Sequence, residues 1–396
     1  MKNIMTKLTC CVIFLLRIHP AYSQPNTSLE YGHFGKTESK VGDDNTNAEL
    51  LLDISDEQEL ADICSNQKWQ LNDTFPYFRK SVLTGRAPKS CCFSPDGKTI
   101  AVCLLSDNGI DLYDSHTLHF IKRIHTSHDK HEDTYVSKEH FWGFAEGQYL
   151  DQTGDFWFTR MTTGEFFVYT PEEDTIRTYD ARGSWTKAVS FSPDRNYVAL
   201  SHWLSNTITI FHTHSRMLFR TIKTGKNPRG IAWIDTQTVA VALYATGDVQ
   251  VFDMNTGEMI HTIPHQGGAA RDVCFDPERQ ILYNSDMTRA LVRKYDWREK
   301  KTIAVMKVDP KPNSIRLTAD GNYLFVSCRG PNNPTGYTLR SPRNGSIYLI
   351  RTVDFKIIKK WAGGNQPTGL SISPDGKMLA TTDFQDHRLN VYIIAK

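Results

Sequence analysis

Cys92-Phe93-Ser94-Pro95-Asp96-Gly97 and Ile372-Ser373-Pro374-Asp375-Gly376 are two copies of one pattern, an apolar strand running into a tight Ser-Pro-Asp-Gly turn. Ser192-Pro193-Asp194-Arg195 is a third copy, and weaker forms begin at Asp151, Ile234, Asp276 and Thr318. A second strand, a loop and a third strand ending in an aromatic follow each turn. The turns start at 94, 151, 192, 234, 276, 318 and 373, which gives steps of 57, 41, 42, 42, 42 and 55 residues. A recurring step of about forty residues, with four short strands per unit, is the signature of a β-propeller blade. Seven copies predict an all-β chain folded as a seven-bladed β-propeller.

Within the units, strands alternate apolar and polar residues, as in Thr207-Ile208-Thr209-Ile210-Phe211 and Val249-Gln250-Val251-Phe252. The last repeat ends after its third strand, around Leu389 to Ile394, which would leave a sheet edge unpaired. Tyr77-Phe78-Arg79-Lys80-Ser81-Val82-Leu83 resembles the outer strands His119 to Ile124 and Met217 to Ile222. The N-terminal strand is therefore expected to complete the C-terminal blade and close the ring. Residues 75–85 should then be essential to stability and 24–60 dispensable.

The segments before the repeats have a different composition. Residues 1–23 read as a signal peptide: Lys2 and Lys7 form a basic region, Leu8 to Leu16 an apolar run too short to span a membrane, and Ala21-Tyr22-Ser23 a cleavage site. No later stretch is apolar for 18 residues, so the expectation is a secreted or periplasmic protein with no membrane span. Residues 24–70 carry ten acidic residues against three lysines and read as an acidic, largely disordered leader. The propeller domain is assigned to 71–396. Its net charge is about +6, whereas the whole chain stands at +2, too near neutral for a nucleic-acid binder. Eight cysteines fall to six once Cys10 and Cys11 depart with the signal, so no dense disulfide framework is expected. Cys92 and Cys274 occupy equivalent repeat positions and read as small buried side chains. One or two disulfides stay open.

Cys328-Arg329-Gly330-Pro331-Asn332-Asn333-Pro334, Gln366-Pro367-Thr368-Gly369-Leu370 and Asn227-Pro228-Arg229-Gly230-Ile231-Ala232-Trp233 carry a family likeness. Over residues 75–396 the chain resembles the YVTN-type, YncE-like propellers. That resemblance implies an exported seven-bladed propeller and leaves its activity open. Similar proteins include non-catalytic binders, lactonases, an antibiotic lyase and subunits of redox enzymes. The Trp-Asp dipeptide of the best-known propeller repeat is missing from the blade ends, which argues against a scaffold of that class.

In a propeller the first strands line a central channel, and the turns above lie on the face opposite the channel mouth. Two insertions, at about 125–145 and from Pro331 to Gly345, are expected beside that mouth, where long loops on a rigid scaffold usually bind ligands. The residue five before each turn falls there too: Lys89, Glu146, Lys187, Arg229, Arg271, Asn313 and Thr368. Cations gathered in a concave funnel attract anions, and arginine offers a bidentate fork to carboxylate or phosphate. Lys89, Lys187, Arg229, Arg271, Asn313 and Arg329 are thus the candidate ligand-binding residues, each buried charge-assisted hydrogen bond contributing about 1.5–3 kcal/mol. The bland alternative is that these side chains turn outward to acids such as Asp272. On the anionic-ligand reading, Arg229→Ala with Arg271→Ala should abolish binding and leave thermal stability nearly unchanged.

Other chemistry has weaker support. His125, His128, His131 and His140, interspersed with acids, form the candidate set for a divalent metal, although their spacing matches no closed-site signature. His202, Asp286 and His387 lie at or after the ends of second strands and form the candidate set for a catalytic base. Trp142, Phe144, Trp185 and Trp203 are candidate stacking aromatics. No Gly-x-Ser-x-Gly, His-Glu-x-x-His, P-loop, dinucleotide or haem-attachment motif occurs. The leading expectation is a monomeric, non-catalytic binding propeller for an anionic small molecule or a protein or cell-surface partner. The alternative is a lactonase- or lyase-type propeller enzyme using a divalent metal or an Asp/His base.

Overall fold

The Ser-Pro-Asp-Gly turns fold as their residue types dictate. Ser94 Oγ donates to Asp96 Oδ1 at 2.6 Å and accepts from the Thr99 N–H at 2.9 Å, while Gly97 takes a φ of +73°. A hydroxyl, a short carboxylate and a residue tolerant of positive φ satisfy the turn's polar groups within five positions. Thr318-Ala319-Asp320-Gly321 and Ser373-Pro374-Asp375-Gly376 repeat this arrangement, and Ser192-Pro193-Asp194-Arg195 does so with Arg195 at φ +61°.

The computed structural model describes residues 76–126, 142–265 and 267–394. The propeller unit excludes residues 334–336. Among the described residues there are 28 strands in seven four-stranded antiparallel sheets, one per blade. First strands of successive blades touch all the way round, including Pro88–Phe93 of the first against Pro367–Ile372 of the last. The apolar core lies between neighbouring blades: one cluster joins Ile100, Val102 and Leu104 to Ala380, Leu389 and Val391, across the closure. No described helix is long and apolar enough to cross a membrane.

The ring closes as the sequence predicts. Tyr77–Leu83 pairs antiparallel with Arg388–Ile393, supplying the outer strand of the last blade. Arg79 is buried there, and its guanidinium donates to the carbonyls of Ser115 and His116 in the first blade. Phe78 packs edge-on against Tyr392 at 5.6 Å.

The signal peptide and the acidic leader lie outside the described residues. The described cysteines, Cys91, Cys92, Cys103, Cys274 and Cys328, are all free thiols. Cys92 and Cys274 are equivalent, opposite Ala101 and Tyr283, and burial raises both thiols above their ordinary range.

One register differs from the sequence reading. In the second blade Leu150, not Asp151, takes the position of Ser94, because the Leu150 N–H donates to the Asp155 carbonyl as Ser94 does to Thr99. This restores a 42-residue step from that blade to the next and moves its channel-mouth position to Ala145. Glu146 stands one residue further along the strand. An acidic residue just inside the turn had mimicked the turn's start.

Candidate functional site

Seven equivalent backbone irregularities build the channel mouth. Each first strand shifts register near its beginning, between Pro88 and Ser90 in the first blade and between Ala270 and Asp272 in the fifth. The other five blades shift at the same place. A bulge re-aims the side chain it contains, and here the re-aimed residues are those of the ring. The residue before each strand accepts from the backbone N–H just after the second strand. Examples are Leu105 to Ala87, Trp203 to Trp185, Tyr244 to Asn227 and Arg329 to Lys311. Hydroxyls then stitch blade to blade: Thr159, Ser201, Ser285 and Ser327 donate to the carbonyls of Lys187, Arg229, Asn313 and Thr368 in the following blades. The ring backbone is therefore fixed by groups outside the ring.

The charged side chains converge across the channel. Arg229 Nη2 lies 2.6 Å and Arg271 Nη2 3.2 Å from Glu146 Oε1, joining the fourth and fifth blades to the second. The two guanidinium side chains are buried, and the Glu146 side chain keeps 20% of its exposure. Burial alone would raise the Glu146 carboxyl, but Arg229 and Arg271 outweigh it and hold the pKa at about 2. Asp272, the expected outward partner, instead pairs with Arg316 at 2.9 Å.

The other cations meet rings in place of acids. Lys89 Nζ lies 5.0 Å from the centre of Phe384, and the guanidinium of Arg329 lies 5.5 Å from the same ring. Lys187 Nζ stands 4.8 Å from Trp185, 5.6 Å from Trp203 and 2.7 Å from Met161 Sδ. Arg329 also faces Tyr337 and donates to Gln366 Oε1. Among the described residues, Lys89, Lys187 and Arg329 form no ion pair. Burial, followed by the neighbouring cations, drives both lysines well below the ordinary lysine range. Burial likewise lowers Arg229 and Arg329 to about 10. Arg229 Nη1 and Arg329 Nε are buried with no hydrogen-bond acceptor. Lys89, Lys187, Arg229, Arg271 and Arg329 thus share one funnel in which, among the described residues, Glu146 is the one carboxylate any of them pairs with, the nearby Asp272 being held by Arg316, and two of their donors go unused.

Asn313 takes its expected ring position but is wholly buried, donating to the Thr368 carbonyl at 2.9 Å across the seam between the sixth and seventh blades. Of the four aromatics singled out, Trp185 and Trp203 reach the site. Phe144 packs in the core against Phe158 and Phe167, and Trp142 stacks on Arg160. Phe384, Tyr244, Tyr337 and Met161 were missed. Three of them had a signal. Leu105, Met161, Trp203, Tyr244, Met287, Arg329 and Phe384 all directly follow a second strand, and so form a second ring beside the first.

The candidate catalytic residues lie in three different blades. His202 is fully buried, its Nδ1 3.1 Å from Thr186 Oγ1 and its Nε2 2.7 Å from Thr209 Oγ1, with burial lowering its pKa to about 4. Asp286 is equally buried, accepts from the Ala269 N–H and pairs with Arg293 at 2.8 Å. His387 Nδ1 accepts from the Ala87 N–H at 3.0 Å. Each ties parts of the scaffold together. Of the candidate metal ligands, His125 is exposed after the outer strand Phe120–Ile124, while His128, His131 and His140 lie outside the described residues. Among the described residues no group of three or more His, Cys, Asp or Glu side chains could hold a metal.

Three similarities to known proteins accompany this geometry. The repeat described as WD domain, G-beta repeat matches residues 79–114. Antigen Lp49 of Leptospira interrogans serogroup Icterohaemorrhagiae serovar copenhageni (strain Fiocruz L1-130) is 32% identical over 319 residues, covering 78% of this chain and 68% of that protein. A chain of hydrazine synthase from Kuenenia stuttgartiensis superposes with a TM-score of 0.65 at 15% identity, covering 80% of this chain and 97% of that one, a likeness of fold alone.

Proposed function

Because the chain belongs to the β-propeller repeat family of antigen Lp49, we propose that it is an exported binding propeller, non-catalytic, that recognises a small anionic ligand at its channel mouth. The carrying observation is the imbalance in the funnel. Lys89, Lys187, Arg229, Arg271 and Arg329 have one carboxylate partner among the described residues, Glu146, while Asp272 is taken by Arg316, and Arg229 Nη1 and Arg329 Nε are buried and unpartnered. Buried donors without acceptors cost about 1–3 kcal/mol each, more when charged, and an anionic ligand would recover that cost.

The wider reading includes residues 1–23 as an export signal, residues 24–70 as an acidic leader and a YVTN-type, YncE-like repeat. Export rests on residues 1–23, whose basic region, short apolar run and small-residue site read as a secretory signal. The lactonase- or lyase-type alternative draws no support from His202 and Asp286, whose polar atoms are committed inside their blades.

Thermal melting with organic acids, sugar phosphates, lactones and divalent metals tests the proposal. An anion at 100 times its dissociation constant adds about 2.7 kcal/mol to stability. An upward shift with acids that weakens in an Arg329→Ala variant supports the reading. No shift with any acid overturns it and favours a macromolecular partner.

A further inference from the structure

The one carboxylate that pairs with the ring arginines is badly placed for a protein that only needs to attract anions. Glu146 is not at the second blade's ring position, which belongs to Ala145, yet its side chain reaches both ring arginines. Both contacts fall on one oxygen, Oε1. The Arg229 contact falls on Nη2, and its buried Nη1 has no acceptor. Around Phe384, Lys89 and Arg329 form a second cationic centre with no carboxylate of its own.

Resting on the anionic-ligand reading, we propose that Glu146 is a built-in competing anion that makes the site select ligands with two or more negative groups over monoanions. A carboxylate held on its own scaffold competes at a very high effective concentration, so a single free carboxylate cannot displace it from the arginines. A monoanion settling elsewhere in the funnel gains the Lys89 and Arg329 charges but meets repulsion from Glu146. A dianion can place one group between Lys89 and Arg329 and the other on Arg229 Nη1, leaving the Glu146 contacts intact. Specificity then comes from a repulsive element as much as from attraction. The same carboxylate keeps Arg229 and Arg271 oriented while the site is empty.

The test is calorimetric titration of the full chain with acetate, succinate, citrate and inorganic phosphate at fixed pH and ionic strength, repeated with Glu146→Gln and Glu146→Asp. The wild-type protein should bind succinate or citrate at least tenfold more tightly than acetate. Glu146→Gln should tighten acetate about tenfold and tighten succinate less, so the preference collapses, while Glu146→Asp retains it. Wild-type affinity for acetate equal to that for succinate overturns the inference, and this arm needs no variant to fold. So does Glu146→Gln leaving acetate binding unchanged or weaker while succinate still binds the wild type. If no anion binds either protein, the anionic-ligand reading itself has failed, a distinct result.

Discussion

Arg229 Nη2 lies 2.6 Å from Glu146 Oε1, an ion pair between the fourth and second blades that reaches across the channel mouth. This contact changes what mutation of the funnel should do. The sequence alone predicts that Arg229→Ala with Arg271→Ala abolishes acidic-ligand binding at little cost to stability. The structure shows that this pair of changes strips Glu146 of both its partners.

The first prediction follows from that exposure of a lone buried charge. The Arg229→Ala/Arg271→Ala variant should lose about 3 kcal/mol of stability, and adding Glu146→Gln should restore most of it. Chemical denaturation of the three proteins reads this directly. A double variant as stable as the wild type would show that the ion pairs are solvated.

The lysines set a pH dependence. Burial and neighbouring cations lower Lys89 and Lys187 well below the ordinary lysine range, so they lose their charge at correspondingly lower pH. Anion affinity should therefore fall as pH rises through those lowered values, before ordinary lysines titrate. Titrations with succinate from pH 6 to 10 should show the decline, and Lys89→Met with Lys187→Met should flatten it.

The last blade carries an acid of the opposite kind. Asp383 is buried, and despite donors from Asn390 and Gly364, burial raises its pKa to about 6. Its unfolded value is near 3.9, so the folded state favours the protonated form. The stabilisation is fully present below about pH 4 and is lost as pH rises through about 6, a difference of about 2–3 kcal/mol. The melting temperature should rise on going from pH 7 to pH 5, and Asp383→Asn should remove most of that rise.

Ring closure gives a structural prediction. Arg79 is buried and its guanidinium donates to Ser115 and His116 carbonyls, so Arg79→Ala should cost about 2–4 kcal/mol. Removing residues 76–83 should abolish folding, because the last blade would lose its outer strand. Removing 24–60 should leave the melting temperature unchanged.

Much of this molecule is local and was therefore readable. The Ser-Pro-Asp-Gly turns are closed by hydrogen bonds within five residues, so their chemistry is written where it acts, and their spacing counts the blades. Tyr77–Leu83 announced its pairing by resembling the other outer strands. Reading went astray where a local mimic intervened, as when Asp151 stood beside the turn that starts at Leu150. Phe384 and Tyr244 of the second ring escape a reading of strand alternation, because their one signal is their place directly after a second strand, outside the alternating core.

The repeat, the blade count, the closing strand and the identity of most channel-mouth cations can be read along the chain, because each depends on spacing or on neighbouring residues. Which charges meet emerges only when the ring closes. Glu146 and Arg271 are 125 residues apart, and what joins them is the diameter of a closed ring together with a bulge in each first strand. The same closure, by burying Lys89, Lys187 and Arg329 against rings and not acids, decided that the funnel keeps its excess positive charge.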